Sequence, residues 1–206
     1  MRTTVLSAAL LLAASTIAKA QQDVVTVVTK AQIDKGLNLP TKSIDRTLRV
    51  LDLGAYQLAV AVAKHEPTTG KPSGSTGRYP NAPACGVSAM PAGAQAGPLD
   101  GISHDDVTET YVILSGTGTL VTGGQILNGF RSAPDSDTTT ILDGPSCIGA
   151  IVGTLTRQKV SAGDVVIIPA GVPHGWLDLN AEITYLTVRP DPKKVLQHGY
   201  VNPALK

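Results

Sequence analysis

Short runs of β-branched and other apolar residues, separated by Gly, Pro, Asp and Asn, follow one another along most of this chain. The pattern predicts strands at 24–28, 49–64 with a turn at Gly54, 110–114, 117–121, 150–155, 165–168, 175–179 and 183–188. Between the first two, Thr29 is expected to cap a short helical turn through Ile33. Short strands with this punctuation are typical of an all-β sandwich or barrel.

Two stretches interrupt the strand pattern. Residues 66–101 are rich in Gly, Pro, Ser and Ala and predict a long loop, and residues 125–147 are interpreted as a polar insert. Loops of this length inside a compact domain are uncommon and often functional. The first loop is not a linker between domains, since too few residues precede it to bury a core.

The first 20 residues have the pattern of a secretory signal peptide. Arg2 supplies a positive start, residues 5–14 form a nearly unbroken apolar run, and Ala18 and Ala20 supply the small residues before a cleavage site. The run is too short for a transmembrane helix, which needs roughly 20 apolar residues, and no later stretch approaches that length. We therefore expect an exported chain beginning at Gln21, secreted or periplasmic, with no membrane partner. A retained amphipathic helix is the alternative.

Charge and composition argue against nucleic acid as a partner. The whole chain carries a formal charge of +1, and removal of residues 1–20 takes away Arg2 and Lys19 and changes it to −1. No run of basic residues is present, and aromatic residues make up only 3% of the chain. A polyanion would find neither a basic stripe nor a stacking platform.

Two cysteines, Cys85 and Cys147, remain in the exported chain. In an oxidising compartment a disulfide is the expected state, and one closing a loop of this length stabilises by roughly 4 kcal/mol in the chain-entropy treatment. Two separate buried thiols are the alternative.

The residues that could bind a metal lie in two segments, 101–116 and 163–178. Imidazole and carboxylate groups together suit a divalent transition metal such as Fe, Mn, Zn, Ni or Cu. His104 and Glu109 are five residues apart, so they can converge only if the chain bends between them, for which Asp105 and Asp106 are the expected place. His174 follows a turn stiffened by prolines.

Two aromatic residues are candidates for the wall of a pocket around this site. Trp176 lies two residues after His174 and shares its strand face. Tyr111 is related to Glu109 in the same way, although it is equally compatible with an ordinary core position.

The two segments resemble the paired motifs of the cupin superfamily. The matching positions are His104, Glu109 and Gly116 in the first motif and Gly163, Pro169, Gly171 and His174 in the second, with Asp178 at the family's usual Asn. The resemblance implies an all-β, cupin-type antiparallel β-barrel, jelly-roll-like, with long loop insertions. The barrel is expected over 49–190, preceded by a segment at 21–48 and followed by a tail at 191–206.

The sequence departs from the family pattern at Ile102, where the first motif usually has another histidine. Three interpretations remain open: a site of His104, Glu109 and His174 with open coordination positions, a fourth ligand supplied by His65, or a barrel that has lost its metal. Of the other histidines, His198 is interpreted as a tail residue.

The resemblance implies a secreted metal-dependent enzyme acting on a small organic molecule. An oxidoreductase of dioxygenase type is the first expectation, acting on a small acidic or phenolic compound, with lyase chemistry also compatible. The alternative is a metal-free barrel that binds a sugar or small molecule without catalysis. Cupins often dimerise, which makes a homodimer a further expectation. A Cys85–Cys147 bridge would then join the two loops near the barrel mouth and shape access to the metal.

Overall fold

The computed structural model describes residues 25–41, 43–67, 78–177 and 179–205. The predicted signal peptide at 1–20, the expected start at Gln21 and the motif position Asp178 lie outside these residues. The described strands are β1 (Asp45–Asp52), β2 (Gln57–His65), β3 (Ala84–Cys85), β4 (Gln95–Ala96), β5 (Gly101–His104), β6 (Glu109–Ser115), β7 (Thr117–Arg131), β8 (Ser146–Ser161), β9 (Val165–Ile168), β10 (His174–Leu177) and β11 (Ile183–Asp191).

One α-helix, α1 (Lys30–Leu37), precedes the strands, and a π-helical turn at Thr138–Leu142 and a 3₁₀ turn at Pro203–Leu205 follow later. Thr29 caps α1 as expected: its hydroxyl accepts the Gln32 N–H, and the Gln32 side chain accepts the Thr29 N–H. The helix runs four residues beyond the predicted turn. No helix in the described ranges is both long and apolar enough to cross a membrane.

The strands form two antiparallel sheets whose inner faces share a core. One sheet has the order β1-β2-β11-β6-β9 and the other β3-β7-β10-β5-β8-β4, with β7 and β8 also paired. The main core cluster draws Tyr111 and Tyr185 from the first sheet and Leu120 and Trp176 from the second. This confirms the predicted all-β, cupin-type barrel.

The segment at 125–147 differs from its prediction as a polar insert. Strand β7 continues to Arg131 and pairs with β8, which begins at Ser146. The register shifts between Gly123 and Gln125, where Gly123 and Gly124 have φ of 89° and 68°. The glycine pair therefore forms a bulge inside a strand rather than ending it, because glycine adopts positive φ without strain.

The N-terminal segment also differs from its prediction. Residues 25–29 form no strand, and Val25 and Val27 are 86% and 67% exposed. The first barrel strand begins at Asp45, four residues before the predicted barrel boundary. Helix α1 packs closely on the barrel at Gly36, where a Cβ atom would lie 2.7 Å from a Leu48 methyl group.

The expected disulfide between Cys85 and Cys147 is present. It connects strands β3 and β8 and packs beside Ile126 and Ile151. The neighbouring residues Ser146 and Cys147 face opposite sides of β8, and of these two only Ser146 contacts a proposed metal ligand. The bridge thus braces the far side of the six-stranded sheet, and neither cysteine lines the pocket described below.

Candidate metal centre

The barrel brings His104, Glu109 and His174 together from both sheets. His104 ends β5 and His174 begins β10 in the six-stranded sheet, and Glu109 begins β6 in the five-stranded sheet. His104 and Glu109 are separated by a bend at Asp105–Asp106, and in this bend the Asp105 N–H donates to the Pro145 carbonyl. All three side chains are buried, and one potential ligand atom from each lies within 4.8 Å of the others.

One carboxylate oxygen is the meeting point of the site. Glu109 Oε2 lies 3.3 Å from His104 Nε2 and 3.1 Å from His174 Nε2. The hydroxyl of Tyr111 also donates to Oε2, at 2.8 Å. The residues predicted from the two motifs and from strand parity therefore converge.

Hydrogen bonds on the far side of each imidazole orient its Nε2 lone pair into the site. His174 Nδ1 donates to the Val172 carbonyl at 2.9 Å. Ser146 Oγ donates to the Gly144 carbonyl, so it accepts from His104 Nδ1, 3.0 Å away. With Nδ1 as the donor, a deprotonated Nε2 presents its lone pair to the site, and His104 Nε2 has no hydrogen-bond partner. The result is three acceptor atoms that face one another.

The other oxygen of Glu109 faces a buried arginine that the sequence analysis missed. Arg189, in β11, is 1% exposed, and its Nε and Nη2 lie 2.7 and 2.6 Å from Glu109 Oε1. The same guanidinium donates to Asp45 and lies 3.1 Å from Asp143 Oδ1. Three carboxylates and one guanidinium leave an excess of two negative charges.

These charges shift several pKa values. Burial acts to raise the pKa of Glu109, but Arg189 and His104 outweigh it and hold that pKa well below its usual range. Burial is also the largest influence on Asp45 and raises its pKa to about 6, against the opposing charge of Arg189. For His104, the lowering effect of burial is exceeded by the charges of Asp143 and Glu109, so its pKa is raised.

A pocket of about 140 Å³ opens beside the three residues. Besides the three proposed ligands, it is lined by residues from both sheets, including Ile44, Asp45, His65, Asp100, Ile102, Tyr111, Asp143, Ile148, Trp176 and Tyr185. Ile102 pairs with His174 across β5 and β10, so the position of the family's missing histidine borders the site. The pocket suits a small molecule rather than a polymer.

Aromatic side chains form one wall of the pocket. The Tyr111 ring stacks near those of Tyr185 and Trp176, with centroids 4.3 and 6.3 Å away. His65 Nε2 lies 2.9 Å from the Tyr185 hydroxyl, so His65 joins this wall and lies outside the cluster of His104, Glu109 and His174. Burial lowers the pKa of His65 to about 4, which keeps it neutral. Burial raises the pKa of Tyr111, so its hydroxyl stays protonated and donates a hydrogen bond to Glu109.

The geometry and charge of the site fit a divalent cation. Two ligand atoms that each lie about 2.1 Å from one ion are roughly 3.0–3.4 Å apart when the angle at the ion is about 90–109°. The observed separations of 3.3 and 3.1 Å from Glu109 Oε2 fall in this range. A cation would also satisfy the orphaned Nε2 of His104 and offset the excess negative charge.

The residues that complete the site carried a weak signal in the sequence. Arg189 has the same parity along β11 as Tyr185 and Thr187, which are buried, so a charged residue stands at an inward position of an apolar strand. The predicted strand ended at 188, one residue too early to include it. No motif identified Asp45, which was assigned to the N-terminal segment, or Asp143 and Ser146, which were assigned to the polar insert.

Comparisons with known proteins find similarity among solved structures at low sequence identity. No protein-family profile and no curated protein matches the sequence. Among solved structures, an uncharacterised protein from Klebsiella pneumoniae with a double-stranded β-helix domain is 14% identical, over 79% of this chain and 89% of the other, with a TM-score of 0.39. A cupin protein from Bacteroides fragilis is 17% identical over 70% and 72%, with a TM-score of 0.30. An oxalate oxidase is 14% identical over 78% and 58%, with a TM-score of 0.34.

The strand order of this chain and the positions of its two motifs define its class. Both sheets are antiparallel, the first motif spans β5 and β6, and the second leads from β9 into β10. The protein thus has the fold of the cupin superfamily. This assignment describes architecture and leaves the reaction to be argued from the site itself.

Proposed function

We propose that this protein is a metal-dependent enzyme that binds one divalent transition metal through His104, Glu109 and His174 and acts on a small organic molecule. The observation that carries the proposal is the convergence of three buried acceptor atoms with no donor among them other than the Tyr111 hydroxyl. Acceptors buried in this way are costly unless a cation joins them.

The metal would have coordination positions left for substrate, because the chain supplies three ligands where the family commonly supplies four. A divalent transition metal in such a site supplies Lewis acidity toward an oxygen-bearing substrate, or a place to activate O₂. We propose an oxygenase-type reaction first and lyase chemistry second.

The chain's own residues hold the ligands in place and restrict water. Ser146 and the Val172 carbonyl fix the two imidazole rings, as is usual for histidines that bind metals. Arg189 retains Glu109 Oε1, which leaves Oε2 facing the histidines. Ile102, Ile148 and the aromatic wall make much of the remaining pocket surface apolar.

A second candidate is a metal-free barrel that binds a small molecule without transforming it. Two observations favour it: Ile102 borders the site where a ligand would stand in the family, and Glu109 already has a cationic partner in Arg189. This candidate requires the two histidines to serve only as polar wall residues.

We also propose that the protein is exported to the periplasm or the medium. The Cys85–Cys147 disulfide supports this location, because disulfides persist mainly in oxidising compartments. A tagged full-length chain recovered only from the reducing cytoplasm, with both thiols free, would contradict the proposal.

Metal content measured by mass spectrometry tests the main proposal. We expect about one equivalent of a transition metal in the exported protein, and its loss in His104→Ala and His174→Ala. His198→Ala is the matched control, because the His198 side chain is 69% exposed and pairs with Asp52. Circular dichroism would verify that each variant is folded.

Two results would contradict the metal site. One is a metal retained in both histidine variants. The other is a wild-type protein that binds none after reconstitution with Fe, Mn, Zn, Ni and Cu, which would favour the metal-free barrel.

A further inference from the structure

We infer that the substrate of this pocket is a compact oxygen-bearing compound with a short aliphatic part, and that Ile102 and Ile148 exclude ring compounds such as substituted phenols and sugars. The inference rests on the proposed function, because it concerns the substrate of the same metal site. It also narrows the choice between acidic and phenolic compounds that the sequence left open, since it disfavours the phenolic class.

The space beside the proposed metal ligands is small. The pocket measures about 140 Å³, whereas pockets for drug-sized ligands measure about 300–1,000 Å³. An apolar cavity of about 150 Å³ holds a single benzene molecule, which has no substituents. A substrate that reaches the metal must fit its metal-binding group into the same space. The enclosed part of the substrate is therefore limited to about six non-hydrogen atoms.

The aromatic side of the pocket is fixed in place and cannot recede from a larger ligand. The Tyr185 hydroxyl lies 2.9 Å from His65 Nε2 and accepts from Trp176 Nε1 at 3.4 Å. The centroid of the Tyr111 ring lies 4.3 Å from that of Tyr185. Behind the indole the backbone is so close that a Cβ atom at Gly118 would lie 3.0 Å from the ring of Trp176. Moving these rings would break buried hydrogen bonds or cause overlap with the backbone, and both are costly.

The aliphatic side of the pocket is formed by Ile102 and Ile148. These two residues pair across β5 and β8, and Ile102 also pairs with His174 across β5 and β10. Paired positions of antiparallel strands hold their Cβ atoms roughly 4.5–5.5 Å apart, and both isoleucines line the pocket. The pair therefore limits the width of the pocket next to His174, and a smaller side chain at either position would add space there.

Two hydroxamates that share one metal-binding group test the size limit. Acetohydroxamate carries a methyl group on its carbonyl carbon, and benzohydroxamate carries a phenyl ring. The larger ligand has more apolar surface to bury, so it would bind more tightly if the pocket could hold it. A weaker binding of benzohydroxamate therefore reports a lack of space.

Both hydroxamates would be titrated into the Zn²⁺-loaded protein, after Zn²⁺ binding has been measured separately. Trp176 is the single tryptophan of the chain, so its fluorescence reports binding at the aromatic wall, and calorimetry gives independent dissociation constants. The zinc content after each titration shows whether the ligand has extracted the metal.

We expect acetohydroxamate to bind at least about tenfold more tightly than benzohydroxamate, because forcing a ring into a packed space is costly. Ile102→Ala should remove this preference. Ile102 is half-buried, whereas Ile148 is 4% exposed, so truncation at Ile102 disturbs the core less. If Ile102→Ala does not fold, Ile102→Val, which removes one methylene group, should reduce the preference by a smaller factor.

The ratio of the two affinities separates a role in specificity from a purely structural one. A general loss of structure would weaken both ligands and leave their ratio the same. Ile167→Ala is the matched control, because Ile167 is 68% exposed on β9 and lies outside the pocket lining. This variant should leave the preference unchanged.

Three outcomes would overturn the inference alone, provided that Zn²⁺ is bound. They are benzohydroxamate binding to the wild-type protein as tightly as acetohydroxamate, no binding of either hydroxamate, and a preference that the folded Ile102 variants leave unaltered. Absent Zn²⁺ binding would instead overturn the proposed function, together with the inference that rests on it.

Discussion

The two oxygens of Glu109 face two buried regions that are built in opposite ways. On the Oε1 side, Arg189 supplies a fixed cation that Asp45 and Asp143 surround. On the Oε2 side, two imidazole nitrogens approach at 3.3 and 3.1 Å with their other nitrogens already hydrogen-bonded. The Glu109 carboxylate therefore lies between two regions. The region on the Oε1 side contains the cation Arg189, and the region on the Oε2 side contains imidazole acceptors instead.

This difference shows how the fold can orient the ligands of a cation while leaving the position of the cation itself open. Because Arg189 holds Oε1, Glu109 keeps one oxygen directed at the histidines whether or not a metal is bound. Arg189 is therefore a positioning residue, and the histidine side is the place where an exchangeable cation would enter. We expect the arginine side to contribute to the stability of the fold, and we propose that the histidine side binds the metal.

The largest expected effect comes from removing the fixed cation. Arg189→Met leaves the buried carboxylates of Glu109 and Asp143 and the partly buried carboxylate of Asp45 without their partner, and it should lower the free energy of unfolding by about 3–5 kcal/mol. Urea unfolding followed by circular dichroism measures this loss.

Two further variants make the Arg189 result interpretable. Arg157→Met is the control, since Arg157 is exposed and donates to Gln95 and the Ala96 carbonyl, and it should cost less than about 1 kcal/mol. If Arg189→Met does not fold, Arg189→Lys should fold with an intermediate loss. An Arg189→Met protein as stable as wild type would show that the carboxylates do not require the guanidinium.

A smaller effect is expected from the hydrogen bond behind His104. Ser146→Ala removes the acceptor of His104 Nδ1 and should weaken metal binding by about 10–100-fold. It also leaves the Gly144 carbonyl without its donor, so it should lower the metal-free stability by about 1–3 kcal/mol. Competition with a chelator of known affinity measures this. Ser103→Ala, a change of the same kind at the neighbouring β5 position of opposite parity, should leave affinity unaltered. Equal affinities for both variants would mean that the ring of His104 needs no such support.

The smallest expected effect is a pH dependence of the stability that Arg189→Met removes. Burial raises the pKa of Asp45 from 3.8 to about 6, so the neutral carboxyl is the form that the fold favours. Its contribution to stability is complete below pH 3.8 and is lost as the pH rises through about 6. The penalty of Arg189→Met should therefore be smaller at pH 5 than at pH 8, by about 1 kcal/mol. An equal penalty at both pH values would contradict a charge-based role for the arginine side.

The histidine side could be predicted from the sequence, and the arginine side could not. His104, Glu109 and His174 belong to motifs with fixed spacing, and strand parity placed Trp176 and Tyr111 beside them. Arg189 and Asp45 are 144 residues apart and meet only because β1 and β11 both flank β2. No local pattern records such a contact.

The strands were predicted well where glycine and proline stood at their ends. The same rule failed at Gly123 and Gly124, because a glycine pair also permits a bulge within a continuing strand. A second rule, that β-branched residues favour strands, failed at residues 25–28. These residues have no neighbouring strand to pair with in the described structure.

Anomalous diffraction from crystals soaked in Mn²⁺ or Zn²⁺ tests the contrast between the two sides most directly. We expect one strong peak within bonding distance of His104 Nε2, His174 Nε2 and Glu109 Oε2, and none among Asp45, Glu109 and Asp143, where Arg189 already lies. A peak on the arginine side, or none beside the histidines at millimolar metal, would contradict the claim that this barrel holds a metal centre.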